Sequence, residues 1–145
     1  MIKKTITYTD YRGITRTDDF YFNYSRAELI EMEASVDGGL QEKIDKIAKS
    51  KSPKQAMPFI KDIILGAYGI KSDDGIRFHK SEEIRKSFEE SEAYSELLME
   101  FINDAVSGGA EKVAQFINGL INSSGVANIS ALPKPETASS APTTT

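Results

Sequence analysis

Residues 68–81, YGIKSDDGIRFHKS, gather the side chains of this chain most able to do chemistry. Asp73, Asp74 and Gly75 could turn around a metal or a phosphate, basic side chains surround them, and His79 is the only histidine in 145 residues. A helix–loop–helix calcium site needs spaced oxygen ligands and a closing glutamate, which this stretch lacks. A phosphate cradle needs closely set glycines and a Gly-Lys-Ser/Thr after a buried strand; Gly69 and Gly75 are too sparse for that. A turn with Asp at its start and Gly at its end is the plainer reading. His79 has no second histidine and no cysteine with which to build a metal site or a nucleophile–base dyad, so it fits a solvated loop. A small enzyme or ligand-binding domain around His79 is the catalytic alternative.

The other charged residues point the same way. Glu31 with Glu33, Glu82 with Glu83, and Glu89 with Glu90 are paired along the sequence, but acid–base catalysis needs two carboxylates facing one cleft with separated pKa values. These pairs fall on the polar faces of expected helices, where solvation is their ordinary state. Five lysines lie between Lys43 and Lys54, interspersed with Asp45 beside Glu42, the pattern of a solvated helix and loop. No catalytic, cofactor-binding or metal-ligating residue is assigned.

Composition narrows the classes further. The net charge of −4 and pI of about 5.1 argue against a dedicated nucleic-acid binder, whose footprint is a basic excess. With no cysteine, disulfides, thiolate metal sites and a Cys nucleophile are excluded, which suits a reducing cytosol. The opening MIKKTITYTD has no secretory apolar segment, and no apolar run reaches the roughly 18 residues of a membrane span. The chain reads as one soluble intracellular domain with a modest core.

These features require elements to hold them. Ile6 and Tyr8 alternate with threonines, and residues 14–22 are again β-branched and aromatic, with the turn Asp10-Tyr11-Arg12-Gly13 between them. The pattern predicts a hairpin of strands over about 3–10 and 14–22 whose apolar side (Ile6, Tyr8, Phe20, Phe22) rests on helices. Ser25 and Glu28 form the sequence signature of a capping box that opens a helix ended by Asp37-Gly38-Gly39. A second helix is expected over about 40–50, with Leu40, Ile44 and Ile47 inward. A third starts at Ser52-Pro53, carries Phe59, Ile60, Ile63 and Ile64, and is closed by Gly69; Pro58 marks a kink or a later start. Ser81 caps a fourth, which continues to Val106 with a break near Ser91. After Ser107-Gly108-Gly109 a last helix spans about 110–121. The fold class is α+β: an N-terminal β-hairpin, a mostly α-helical bundle over 1–121, and a Ser/Thr/Pro/Ala-rich tail over 122–145 expected to be disordered.

The last two helices carry more large apolar side chains than a small hairpin obviously covers. Phe101, Phe116, Ile117, Leu120 and Ile121 are therefore either core or anchors for a partner helix.

Three stretches, FYFNYSRAELIEME at 20–33, YGIKSDDGIRFHKS at 68–81 and FEESEAYSELLMEFINDA at 88–105, with FINGLI at 116–121, resemble the tail assembly chaperones of long-tailed bacteriophages and prophages of Gram-positive hosts. The resemblance spans nearly the whole folded part, in order, and contains no catalytic signature. It implies a non-enzymatic protein that binds the coiled-coil-prone tape measure protein before tail tube subunits polymerise around it. It also implies a longer form made by ribosomal frameshifting that recruits tube protein, action in the host bacterial cytoplasm, and absence from the mature virion. Self-association is expected when the client is missing, and Phe116, Ile117, Leu120, Ile121 and Phe101 are the expected client anchors, with α-helical pivoting at Gly108-Gly109. No nucleic acid, membrane or cofactor is implied. A minor structural or completion protein of the tail is the nearest alternative.

Ending the chain after Ile121 is expected to leave the unfolding free energy within about 1 kcal/mol of the full chain, as for surface changes that touch no named stabilising feature. Parallel denaturant melts of the two forms check this.

Overall fold

Threonines alternating with Ile2, Ile6 and Tyr8 make strand β1 (Ile2–Thr9), which pairs antiparallel with β2 (Thr15–Phe22) in the register Ile2 to Phe22 and Thr9 to Thr15. The computed structural model describes residues 1–49, 52–108 and 111–124. The connecting turn is closed by Asp10, whose side chain accepts from the amides of Arg12 (2.9 Å) and Ile14 (3.0 Å). One face of the hairpin is polar and ordered by cross-strand pairs: Thr5 donates to Asp19 (2.6 Å) and the Thr7 and Thr17 hydroxyls meet at 2.9 Å. The other face carries Ile6 and Phe22, both buried, with Tyr8 and Phe20 packed against the core.

Helix α1 (Arg26–Ser35) opens with the expected capping box: the Ser25 hydroxyl accepts from the Glu28 amide (3.2 Å) and Glu28 accepts from the Ser25 amide (2.9 Å). Helix α2 (Leu40–Lys49) buries Leu40, Ile44 and Ile47. Helix α3 (Pro53–Ala67) retains Pro58 inside it, so the helix neither begins later nor ends there. The expected helix after Ser81 is two helices, α4 (Glu82–Glu89) and α5 (Glu92–Gly108). Ser91 makes the break, donating to the Phe88 carbonyl (2.7 Å) and accepting from the Tyr94 amide (3.4 Å). Helix α6 (Glu111–Ser123) follows, two residues longer than its predicted end. Residues 125–145, where disorder is expected, lie outside the described part.

Gly69 does not simply close a helix, and residues 68–81 are more than a connection. Helix α3 stops at Ala67, and Tyr68–Lys71 forms strand β3, paired antiparallel with β2 through Tyr21–Gly69 and Phe22–Tyr68. Phe78–His79 forms β4, paired with β3. The hairpin is thereby extended to a four-stranded sheet in the order β1-β2-β3-β4. Gly69 is required by close approach: a Cβ there would lie 2.5 Å from the Phe78 ring. The helices cover the sheet's apolar face, and among the described residues none is long and apolar enough to cross a membrane.

Strand β1 is one edge of the sheet. The Asp10 amide donates to the Ile14 carbonyl (2.9 Å), so by alternation the even-numbered residues of β1 pair with β2, and Lys3, Thr5, Thr7 and Thr9 turn their backbone groups to the free edge. Lys4 points inward beside that edge and is held by Glu100 of α5 at 3.4 Å. An inward charge on an edge strand disfavours pairing with another chain.

Glu33 departs from its expected place on a solvated face. It is only 4% exposed and accepts from the Leu40 amide (2.9 Å), so its carboxylate serves the open N-terminus of α2. Glu33→Ala removes that acceptor and leaves a buried amide unpaired. The expected loss is about 1–3 kcal/mol, read from chemical denaturation.

Candidate functional site

The 68–81 segment owes its shape to its polar side chains. The Ser72 hydroxyl donates to Asp74 (2.6 Å) and accepts from the Arg77 amide (3.0 Å), while Asp74 also accepts from the Ile76 amide (3.0 Å). Gly75 turns the chain at φ 73°, a conformation that side chains disfavour. The Ser72 hydrogen bond, followed by the Ile76 amide, holds the Asp74 carboxyl below its ordinary pKa. The carboxylate is thus occupied in its own turn. His79 is exposed on β4, and among the described residues no three His, Cys, Asp or Glu gather to hold a metal ion.

Lys80 sits at the node behind this hairpin. Its ammonium donates to the Asn23 carbonyl (2.6 Å) and to Glu28 (2.8 Å), and lies 4.5 Å from the centre of the Tyr24 ring. Burial pushes its pKa down, and Glu28 opposes that shift. The arrangement joins the end of β4, the β2–α1 junction and the first turn of α1. It is a structural clamp made from residues that in isolation resemble an anion site.

The five apolar residues singled out as partner anchors occupy the interior. Phe101, Phe116, Ile117, Leu120 and Ile121 are between 1% and 8% exposed. Phe116 packs edge-on against Phe22 (5.5 Å between ring centres) and tilted against Phe101 (5.3 Å). Helix α6 meets α2, α5 and β1, so its whole apolar stripe is covered within the domain.

A partly covered apolar surface lies elsewhere. Helices α1 and α3 flank a groove of about 560 Å³ lined by Met32, Val36, Phe59, Ile63 and Gly66. Tyr24 closes one end; its hydroxyl donates to the Ile63 carbonyl (2.7 Å) and burial raises its pKa. The charged side chains that line the groove, Glu28, Glu31 and Asp62, are all acidic.

A family model described as phage tail assembly chaperone matches residues 1–141. The chain belongs to that family. No curated protein and no solved structure matches it. For a tail assembly chaperone the relevant geometry is surface available to other proteins, and the sequence alone placed the groove's residues in helix stripes with the rest of the core. No signal in the sequence sets them apart: Leu29, Met32 and Val36 share one i, i+3, i+7 stripe, and only the fold leaves Met32 and Val36 partly buried. The matched span also runs through most of the Ser/Thr/Pro-rich segment after α6.

Phe116→Asp or Leu120→Asp is expected to lower the unfolding free energy by more than the roughly 3–5 kcal/mol of a large core truncation, because a charge is buried as well. His79→Ala, at an exposed position, should leave the melt unchanged. Circular dichroism melts of the three variants check both statements.

Proposed function

We propose that this family member is a non-enzymatic chaperone that binds the tape measure protein in the host bacterial cytoplasm. It keeps that protein's apolar helical faces from aggregating and is released before the virion is complete. The observation that carries the reading is the family match over residues 1–141. The fold supports it: Ser72, Asp74 and Lys80 of the one segment that resembles a reactive loop are engaged in a turn and a clamp, while an apolar groove lies open between α1 and α3.

In this reading a longer, frameshifted form recruits the tail tube protein, and the segment after α6 serves as the tether to that extension. Without client the chain associates with itself through apolar surface otherwise left in water, such as the exposed Met99 and Val106 on α5. Phe101, Phe116, Ile117, Leu120 and Ile121 contact the client only if α6 leaves the domain. That requires exposing a stripe of five buried side chains on α6 alone, so it is a costly route.

Co-expression with the tape measure protein from the same phage genome is expected to give a complex that co-purifies, and mass spectrometry of purified particles should lack this chain. Finding it in particles would favour a structural or completion protein instead. Sedimentation of the isolated chain at micromolar concentration is expected to give species heavier than 16.0 kDa. A strict monomer at high concentration would remove the self-association part of the proposal.

A further inference from the structure

The apolar stripe formed by Leu29, Met32 and the α1 C-cap residue Val36 is not uniformly covered. Leu29 turns into the core together with Glu33, whereas Met32 and Val36, one turn apart, line the groove shared with Phe59 and Ile63 of α3. Met32, Val36 and Phe59 are only partly buried, so the groove presents apolar area to solvent. From Glu28 to Val36 it runs about 12 Å along α1, at 1.5 Å per residue. That length accepts three anchors of another helix, spaced i, i+3 or i+4, and i+7. A methionine in the wall suits such a contact, because its unbranched side chain adapts to different shapes.

The charges choose between occupants. Glu28 is paired with Lys80, and Asp62 faces Arg85 only at 3.8 Å with three-quarters of its side chain exposed. Glu31 is exposed and makes no ion pair or hydrogen bond among the described residues. The mouth of the groove is therefore acidic. A helix of a second copy fits it poorly: among the described residues the large exposed apolar side chains on helices are Met99 and Val106 of α5, flanked by Glu96 and Asp104, and like charges would face each other. Helix α2 carries exposed lysines, but its apolar stripe, Leu40, Ile44 and Ile47, is already buried.

We infer that the α1–α3 groove receives an amphipathic helix of the client, with three apolar anchors bordered by lysine or arginine. The inference rests on the chaperone reading for the identity of that client and on the groove's own residues for its chemistry. Hydrophobic contact supplies the affinity, and the acidic border selects the basic flank and orients it.

The test uses the full chain and two labelled peptides of about 20 residues, long enough to form helix, with identical leucine stripes bordered by lysine in one and by glutamate in the other. Fluorescence anisotropy is expected to show the lysine peptide binding at least about tenfold more tightly. The double variant Glu31→Lys, Asp62→Lys alters only exposed positions and is expected to abolish or reverse that preference with an unchanged melt. Met32→Glu should weaken both peptides; if it fails to fold, the charge-reversal variant decides. Absence of binding, or a preference that survives charge reversal, overturns the groove assignment. Co-purification with the tape measure protein separates the two readings. A charge-reversed chain that still captures it as well as wild type defeats the groove and leaves the chaperone reading standing. Failure of wild type to capture it, with the peptide preference intact, defeats the identity of the client and leaves the groove.

Discussion

Phe22 is the point on which this fold closes. It ends β2 with no exposed surface, and its ring meets Tyr68 at 5.8 Å, Phe88 at 5.7 Å and Phe116 at 5.5 Å, each from a different element. Tyr68 in turn stacks on Phe88 at 4.3 Å, and Phe116 leads on to Phe101. One ring thus brings β3, α4 and α6 onto the hairpin, and α5 follows through Phe116. A hairpin alone is marginal in water; this one persists because aromatic contacts from distant parts of the chain converge on its last residue. The order of the elements follows: α3 must deliver Tyr68 beside Phe22, so it ends where β3 begins, without a loop.

Local chemistry was legible from sequence wherever a signal and its consequence lie within a few residues. The capping box at Ser25 and Glu28, the Asp10 turn, the cap at Ser81 and the break at Ser91 all have this form, and the structure contains each of them. Strands β3 and β4 were not legible, because Tyr-Gly-Ile-Lys follows an apolar helix directly and has no alternation long enough to detect. Its strand character comes from pairing with Tyr21 and Phe22, more than forty residues away in sequence. Gly69 carried two meanings that sequence cannot separate, a helix stop and a space for the Phe78 ring. Glu33 was misread for a related reason. A carboxylate on a helix is ordinarily solvated, and only the return of the chain at α2 gives this one an amide to serve.

The residues with the greatest chemical potential are consumed by geometry. Ser72 and Asp74 hold a tight turn, Lys80 ties the end of β4 to the Asn23 carbonyl and the Glu28 side chain, and Lys4 meets Glu100 beside the free edge of β1. Each use follows from a need: a short hairpin needs a turn that forms by itself, converging junctions need a donor with several hydrogens, and an open strand edge needs a charge against mispairing. A charged cluster therefore says little about reactivity until its hydrogen bonds have been accounted for.

The same caution applies to apolar stripes. Helix α6 has the pattern expected of a partner-binding helix, yet an amphipathic helix shows the same spacing whether its apolar side meets its own domain or another protein. Amphipathicity reports that a face will be covered and not by what. Helix α1 makes the same point: Leu29, Met32 and the C-cap residue Val36 follow the i, i+3, i+7 spacing of a single face, yet they are not equally covered. Leu29 is fully covered by the core, whereas Met32 and Val36 pack against it only in part and line, with Phe59, a groove whose lining charges share one sign. Partial burial within a stripe, rather than the strength of the stripe, is thus the guide to surface left for a partner.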